Sequence, residues 1–118
     1  MTSLLDTCVI LWAARDQDQL SACVRGLLLD SRQALVVSVV SAWELGISDA
    51  AGWLRRAARN LQATILPVRL DHIAALQTLP LRHRDPFDRL LMAQAVAGEF
   101  ALVTADEVIR NYSEVHCV

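Results

Sequence analysis

The stretch RHRDPFDRLLMAQAVAGEFALVTAD, residues 82–106, decides the fold, because a capped helix in it leads directly into an apolar strand. Asp85 is a good N-cap residue, Pro86 suits the first helical position, and Gly98 is typical of a helix end. The apolar run FALVT at 100–104 then predicts a strand. A helix followed so closely by a buried strand indicates an α/β protein.

The rest of the chain continues this alternation of short apolar runs and helical stretches. Further strands are predicted at 3–6, 34–38 and 64–68, with EVHC at 114–117 as a fifth candidate. Helices are predicted at 7–14, 21–29 and 41–47, over 50–61 as one or two helices, after an Asp71 cap, and from Asp85 to Gly98. Strands separated by helices imply right-handed crossovers, so we expect one α/β domain over 1–118. Its parallel sheet of about four to five strands is flanked by helices on both faces.

Composition and charge narrow the classes of protein that this chain can represent. The chain is 54% hydrophobic, yet no apolar run approaches the ~20 residues that a membrane helix needs, so we expect no membrane partner. The net charge is −2, and the 11 basic residues are all arginine. This balance counts against non-specific nucleic-acid binding, but it permits an acidic pocket that holds cations. The excess of apolar residues predicts a core plus a surface that meets another chain.

The cysteines and the first residues indicate a cytoplasmic protein. Cys8, Cys23 and Cys117 are far apart and lack the spacing of a zinc site, which favours free thiols in a reducing compartment. The first residues carry neither lysine nor arginine, so a secretory signal is not expected.

Four acidic residues are expected at one end of the predicted sheet. Asp6 and Asp106 follow predicted strands, and Glu44 and Asp88 lie in the predicted first turns of helices. Ligands of such sheets bind beyond the carboxyl ends of the strands. Buried carboxylates repel one another unless their pKa values rise or a cation lies among them, and oxygen ligands suit Mg²⁺ or Mn²⁺.

A structural interpretation competes with this one. Ser41-x-x-Glu44 matches a capping box, Asp85-x-x-Asp88 resembles one, and acids in first turns are favoured by the helix dipole. Asp6 is the hardest of the four acids to explain in this way, because its partners must lie outside its own helix.

Four segments of the chain, in this order, resemble PIN-domain proteins and specifically the VapC-type ribonuclease toxins of toxin–antitoxin pairs. The segments are LLDTCVILW (4–12), VSVVSAWELGI (37–47), LPLRHRDPFDRLLMAQA (79–95) and LVTAD (102–106). The resemblance implies a PIN-like fold and metal-dependent hydrolysis of RNA with one or two Mg²⁺ or Mn²⁺ ions. It also implies a homodimer and a small VapB-type antitoxin that places a basic segment at the acidic pocket.

Carried over residue by residue, the resemblance implies a catalytic and metal-binding set of Asp6, Glu44, Asp88 and Asp106. Asp6 and Asp106 are then expected to bind metal directly, and Glu44 and Asp88 directly or through water. Thr7 and Thr104 match the hydroxyl positions beside that set. The chain departs from the family pattern in two ways: no lysine follows Glu44, and the segment before TILPV (64–68) is a turn or two short.

Other interpretations stay open at the level of sequence. Arg82, Arg84 and Arg89 are candidates for RNA phosphate contacts, against the alternative of solvated arginines that balance local acids. His83 is expected to be an exposed or hydrogen-bonded loop residue rather than part of that group. Phosphoaspartate enzymes, which need a lysine to stabilise the phosphorylated carboxylate, are disfavoured because the chain has no lysine. The remaining alternative is a non-catalytic PIN-like module for protein contacts, in which the acids act as caps.

Overall fold

The computed structural model describes residues 2–118. The strands of these residues form a four-stranded, all-parallel sheet. The strands are β1 (Thr2–Leu5), β2 (Ala34–Ser38), β3 (Thr64–Leu66) and β4 (Ala101–Val103), in the order β3-β2-β1-β4. Leu4 on β1 lies opposite Val36 on β2 and Leu102 on β4. The predicted α/β class is confirmed, and β3 lies at the edge of the sheet, where Pro67, the residue after its last one, led us to expect it.

Helices join the strands as parallel crossovers require. In residues 2–118 they are α1 (Thr7–Arg15), α2 (Ala22–Leu29), α3 (Val39–Leu45), α4 (Ala50–Leu61), α5 (Leu70–Thr78), α6 (Pro86–Gly98) and α7 (Glu107–Arg110). A short 3₁₀ turn at Gln17–Gln19 lies between α1 and α2. Within the same residues, no helix combines the length and the apolar composition that a membrane crossing requires.

The two faces of the sheet carry separate hydrophobic cores, because successive strand residues point to opposite faces. Leu4 belongs to a core that includes residues of α6, and Leu5 to a core that includes residues of α1 and α4. Both leucine side chains are fully buried, which stabilises the fold by about 1.5–3 kcal/mol for each. Helices therefore cover both faces, as predicted.

Helix α3 starts earlier than predicted. Ser38 caps it by accepting a hydrogen bond from the Val40 N–H at 3.0 Å, so the prediction of a start at Ser41 is wrong. The helix ends at Leu45 before Gly46, which adopts a left-handed conformation with φ of 60°. Glu44 consequently lies in the last turn of the helix rather than the first, and the Ser41–Glu44 capping box of the alternative interpretation does not form.

Three smaller predictions also need correction. Helix α5 begins at Leu70 with Arg69 as its N-cap, so Asp71 is not the cap. Strand β3 has three residues rather than five. The predicted EVHC strand is reduced to one isolated bridge between Cys117 and Leu102.

The last residues of the chain cover the outer edge of β4. The Leu102 N–H donates to the His116 carbonyl at 2.8 Å, and the Val118 N–H donates to the Leu102 carbonyl at 3.0 Å. The backbone groups of Leu102 that face away from β1 are therefore paired.

Candidate metal centre

Asp6 lies directly after β1, at the centre of the carboxyl end of the sheet. Its Oδ1 accepts a hydrogen bond from the Thr7 N–H at 2.7 Å, and its Oδ2 accepts one from the Thr104 hydroxyl at 2.8 Å. The residue is only 6% exposed. Burial raises the pKa of Asp6 above its usual value, and these two hydrogen bonds only partly oppose that effect.

Asp106 lies after β4 and is held by hydrogen bonds from two directions. Its Oδ1 caps α7 by accepting from the N–H groups of Val108 at 2.8 Å and Ile109 at 3.3 Å. Its own N–H donates to the Thr104 hydroxyl at 3.0 Å, so Thr104 connects Asp106 to Asp6. Partial burial acts to raise the pKa of Asp106, but hydrogen bonds from His83 and from the helix backbone lower it below its usual value.

Glu44 reaches the same end of the sheet from the last turn of α3. Its Oε1 lies 2.7 Å from the Thr7 hydroxyl, which also lies 2.8 Å from the Ser41 hydroxyl. An ionised carboxylate only accepts, so the Thr7 proton points to Glu44 and the Ser41 hydroxyl is left to donate to Thr7. Burial raises the pKa of Glu44, the Thr7 hydrogen bond opposes this, and the negative charges of Asp85 and Asp6 add to it.

Asp88, in the first turn of α6, is the most perturbed carboxylate of the group. Burial, followed by the negative charges of Asp6, Asp85 and Glu44, raises its pKa to about 7, while His83 opposes the shift. One carboxylate oxygen from each of Glu44, Asp85 and Asp88 lies within 4.8 Å of the others. Of the four acids predicted from the sequence, Glu44 and Asp88 thus approach each other, and Asp106 lies within the same distance of Asp88 in a second group with His83. Asp6 is in neither group of the described residues, and hydrogen bonds through Thr7 and Thr104 connect it to Glu44 and Asp106. With Asp85 we call the four acids the acidic cluster: Asp6, Glu44, Asp85, Asp88 and Asp106.

Asp85 and His83 also face this centre, although neither was predicted there from the sequence. Asp85 caps α6 as predicted, because its Oδ1 accepts from the N–H groups of Phe87 at 2.9 Å and Asp88 at 3.3 Å. The His83 Nε2 lies 3.0 Å from Asp88 Oδ2 and 3.1 Å from Asp106 Oδ2. The spacing of Asp85 and Asp88 within one helical turn was a usable signal for Asp85, whereas His83 lies in a loop without periodicity.

The three arginines proposed for phosphate contacts have different surroundings. The Arg89 guanidinium donates to the carbonyls of Pro80 at 2.9 Å and Leu79 at 3.4 Å, which closes the loop before α6. The Arg82 guanidinium lies 5.2 Å from the ring centroid of Tyr112. The Arg84 side chain is exposed to solvent, and Arg84 directly precedes Asp85 of the acidic cluster in the sequence.

Comparison with protein families identifies the fold. The model of the PIN domain matches residues 3–115, nearly the whole chain. The chain belongs to the PIN-domain family. This confirms the family inferred from the four sequence segments, and it makes the carboxyl end of the sheet, where the acidic cluster lies, the natural place to look for the function of this PIN domain.

Solved structures with the same fold come from toxin–antitoxin complexes. VapBC2 from Rickettsia felis, bound to a DNA fragment from their promoter, matches with a TM-score of 0.75 at 14% identity and covers 100% of this chain and 98% of that chain. DNA-bound VapBC from Salmonella typhimurium gives 0.74 at 11% identity, covering 100% and 97%. FitAcB from Neisseria gonorrhoeae gives 0.66 at 20% identity, covering 98% and 95%. A search of curated proteins found no significant match.

The donor atoms of this PIN domain could hold a metal ion in two overlapping sets. One set consists of oxygens from Glu44, Asp85 and Asp88, and the other of His83, Asp88 and Asp106, each within 4.8 Å. Asp88 is common to both. The all-oxygen set fits a hard divalent cation. Burial, and after it the negative charges of neighbouring acids, raise the pKa values of Asp6, Glu44 and Asp88, and a cation would offset both effects.

Proposed function

We propose that this PIN domain is a VapC-type endoribonuclease that hydrolyses RNA phosphodiester bonds with Mg²⁺ or Mn²⁺. The observation that carries the proposal is the geometry of the acidic cluster, in which one carboxylate oxygen from each of Glu44, Asp85 and Asp88 lies within 4.8 Å of the others. Within residues 2–118, the arginine ion pairs involve other acids, namely Asp30, Asp49, Asp71 and Glu114. A divalent cation would supply the missing positive charge.

The acids differ in what holds their carboxylates in place. Asp6 and Asp106 are our choice for direct ligands, because hydrogen bonds hold both carboxylates in place before any ion binds: the Thr104 hydroxyl donates to Asp6, and backbone N–H groups of α7 donate to Asp106. Glu44 and Asp88 would bind the ion directly or through water. When bound, the ion lowers the pKa of a water ligand and stabilises charge on the leaving oxygen.

The RNA backbone must approach this negative site as a polyanion, so bound cations and nearby arginines both favour its entry. Arg84 is our candidate for a phosphate contact, because its side chain is exposed in the loop that leads into the site. Arg89 supports the loop instead, through its hydrogen bonds to the carbonyls of Leu79 and Pro80.

We further propose that a second copy of the chain covers the apolar surface beside edge strand β3. Ile65, Val68, Leu70 and Ile73 are exposed and follow one another from β3 into α5, and Leu70 is 84% exposed. Exposed apolar side chains concentrated next to an unpaired strand edge are typical of an interface. Light scattering should report a dimer for the wild type and a monomer for Leu70→Glu. A wild-type monomer at micromolar concentration would contradict this.

We propose a separate binding place for the VapB-type antitoxin. A cavity of about 570 Å³ lies between α1, α2 and α4, lined by apolar residues such as Ile10, Ala13 and Leu28. Leu29 at its rim is 86% exposed. Such a groove suits the apolar face of a partner helix, with a basic segment of the antitoxin reaching the acidic cluster. Leu29→Glu should prevent capture of the co-expressed antitoxin and leave the dimer intact. Leu70→Glu should disrupt the dimer and leave capture of the antitoxin intact.

Expression of the chain without its antitoxin tests the proposed activity. Wild-type protein should arrest growth and cleave RNA when purified with Mn²⁺, and Asp88→Asn should do neither while remaining folded by circular dichroism. Asp18→Asn, an exposed acid outside the site, is the matched control and should behave as wild type. Equal toxicity of Asp88→Asn and wild type would refute the catalytic assignment. Absence of Mn²⁺ binding by wild type would favour the non-catalytic module instead.

A further inference from the structure

The loop between α5 and α6 is fixed by a buried tyrosine from the other end of the chain. The Tyr112 hydroxyl accepts hydrogen bonds from the N–H groups of Arg82 and His83, both at 2.8 Å, and donates to the Pro80 carbonyl at 2.7 Å. Tyr112 itself is 1% exposed. The backbone of His83 is therefore held in position before any ligand arrives.

The imidazole ring of His83 is oriented by a second contact. The Asp85 N–H donates to His83 Nδ1 at 3.2 Å, so the lone pair of Nδ1 is engaged. A neutral imidazole carries one proton, and a proton on Nδ1 would oppose the Asp85 N–H, so the proton is on Nε2. That Nε2–H donates to Asp106 Oδ2 at 3.1 Å, and Asp88 Oδ2 lies 3.0 Å from the same nitrogen.

We propose that His83 is a positioning residue of the metal site, whose Nε2–H holds the carboxylates of Asp106 and Asp88 beside each other. This inference rests on the proposed metal-dependent function. Two carboxylates this close repel, and a fixed donor between them offsets part of that repulsion. Donors that orient ligating carboxylates in this way contribute substantially to metal affinity.

The same geometry argues that His83 is not itself a metal ligand. Its Nε2 lies close enough to Asp88 and Asp106 to complete a three-residue set. Ligation through Nε2 would move the proton to Nδ1, where it would face the Asp85 N–H and break that hydrogen bond. His83 therefore acts through the two carboxylates, and Mn²⁺ should be surrounded by oxygen.

Two substitutions separate the two hydrogen bonds of the His83 ring. His83→Gln places an amide N–H at about the position of Nε2 and keeps the donor to the carboxylates. His83→Asn keeps an acceptor at about the position of Nδ1 for the Asp85 N–H but is too short to reach them. His116→Asn, at an exposed histidine, controls for loss of an imidazole elsewhere.

Titration calorimetry with Mn²⁺ should show wild-type, His83→Gln and His116→Asn affinities within about threefold of one another, and His83→Asn weaker by about tenfold or more. Unchanged affinity in His83→Asn would overturn the positioning role. Pulsed electron paramagnetic resonance on Mn²⁺-loaded wild type should show no coupling from a directly bound nitrogen. If a nitrogen coupling is present and disappears in His83→Gln, His83 is a ligand and the inference is overturned. This measurement does not depend on whether His83→Asn folds correctly.

Asp6→Asn separates failure of this inference from failure of the proposed function. Wild-type binding that Asp6→Asn abolishes supports the metal site, whatever the His83 variants do. If wild-type protein takes up no Mn²⁺, the metal site and the positioning role of His83 are both refuted. If wild type binds and His83→Asn binds equally well, only the positioning role is refuted.

Discussion

Replacing Asp88 by asparagine should make the metal-free protein more stable at alkaline pH, although it removes an acid of the proposed site. The folded state raises the pKa of this carboxyl from 3.8 to about 7. Each pKa unit corresponds to about 1.4 kcal/mol, so ionised Asp88 destabilises the fold by at most about 4 kcal/mol. Solvent screening of a partly exposed carboxylate reduces this, and we expect about 1–2 kcal/mol.

The effect must depend on pH in one direction. Because the folded state holds the proton more tightly than the unfolded chain, stability falls as pH rises from about 4 to about 7 and is lowest above that range. Asparagine is neutral at every pH, so the advantage of Asp88→Asn should be full at pH 8 and small at pH 4.5.

Thermal denaturation in the presence of a chelator measures this difference. A gain of about 1–2 kcal/mol corresponds to about 4–8 °C in Tm for a domain of this size. Asp18→Asn should shift Tm little at either pH. Addition of Mn²⁺ should raise the Tm of wild type more than that of Asp88→Asn, because the ion then neutralises the charge. A lower Tm for Asp88→Asn than for wild type at pH 8 without metal would refute the argument that this charge lacks compensation.

Three further predictions follow from the contacts of the site and of the core. The affinity of wild type for Mn²⁺ should fall by up to about tenfold per pH unit below pH 7, because a proton on Asp88 competes with the ion. Calorimetry that shows the same Mn²⁺ affinity from pH 8 to pH 6 would contradict this. Thr104→Val removes the hydroxyl that donates to Asp6 and should weaken Mn²⁺ binding by about tenfold, measured in the same way, with a folded circular dichroism spectrum. Gln94→Leu leaves the Ser38 hydroxyl without its buried acceptor and should lower the free energy of unfolding in urea by about 1–3 kcal/mol, without changing Mn²⁺ affinity.

The sequence was most informative where the position of a residue follows from sheet topology. Asp6 and Asp106 could be assigned to one end of the sheet because both follow strands, and parallel strands end at the same edge. Glu44 was assigned to the correct end for a partly wrong reason. Ser38 rather than Ser41 caps α3, so Glu44 lies in the last turn and reaches the site through its contact with Thr7.

The sequence was least informative where position depends on distant contacts. The orientation of His83 depends on the Tyr112 hydroxyl, which lies 29 residues away in the chain, and no local pattern carries that information. Arg89 resembled a phosphate contact because it is a cation beside acids, yet its guanidinium binds backbone carbonyls nine and ten residues earlier. Side-chain partners across loops require coordinates, whereas strand ends do not.

The pairing of the final residues with β4 has a practical consequence for handling the protein. A truncation before His116 would leave the backbone N–H and C=O of Leu102 unpaired on a short apolar strand. Such an open strand recruits further chains by backbone pairing and promotes aggregation. Affinity tags and truncations should therefore leave residues 116–118 in place, so that Leu102 keeps its partners.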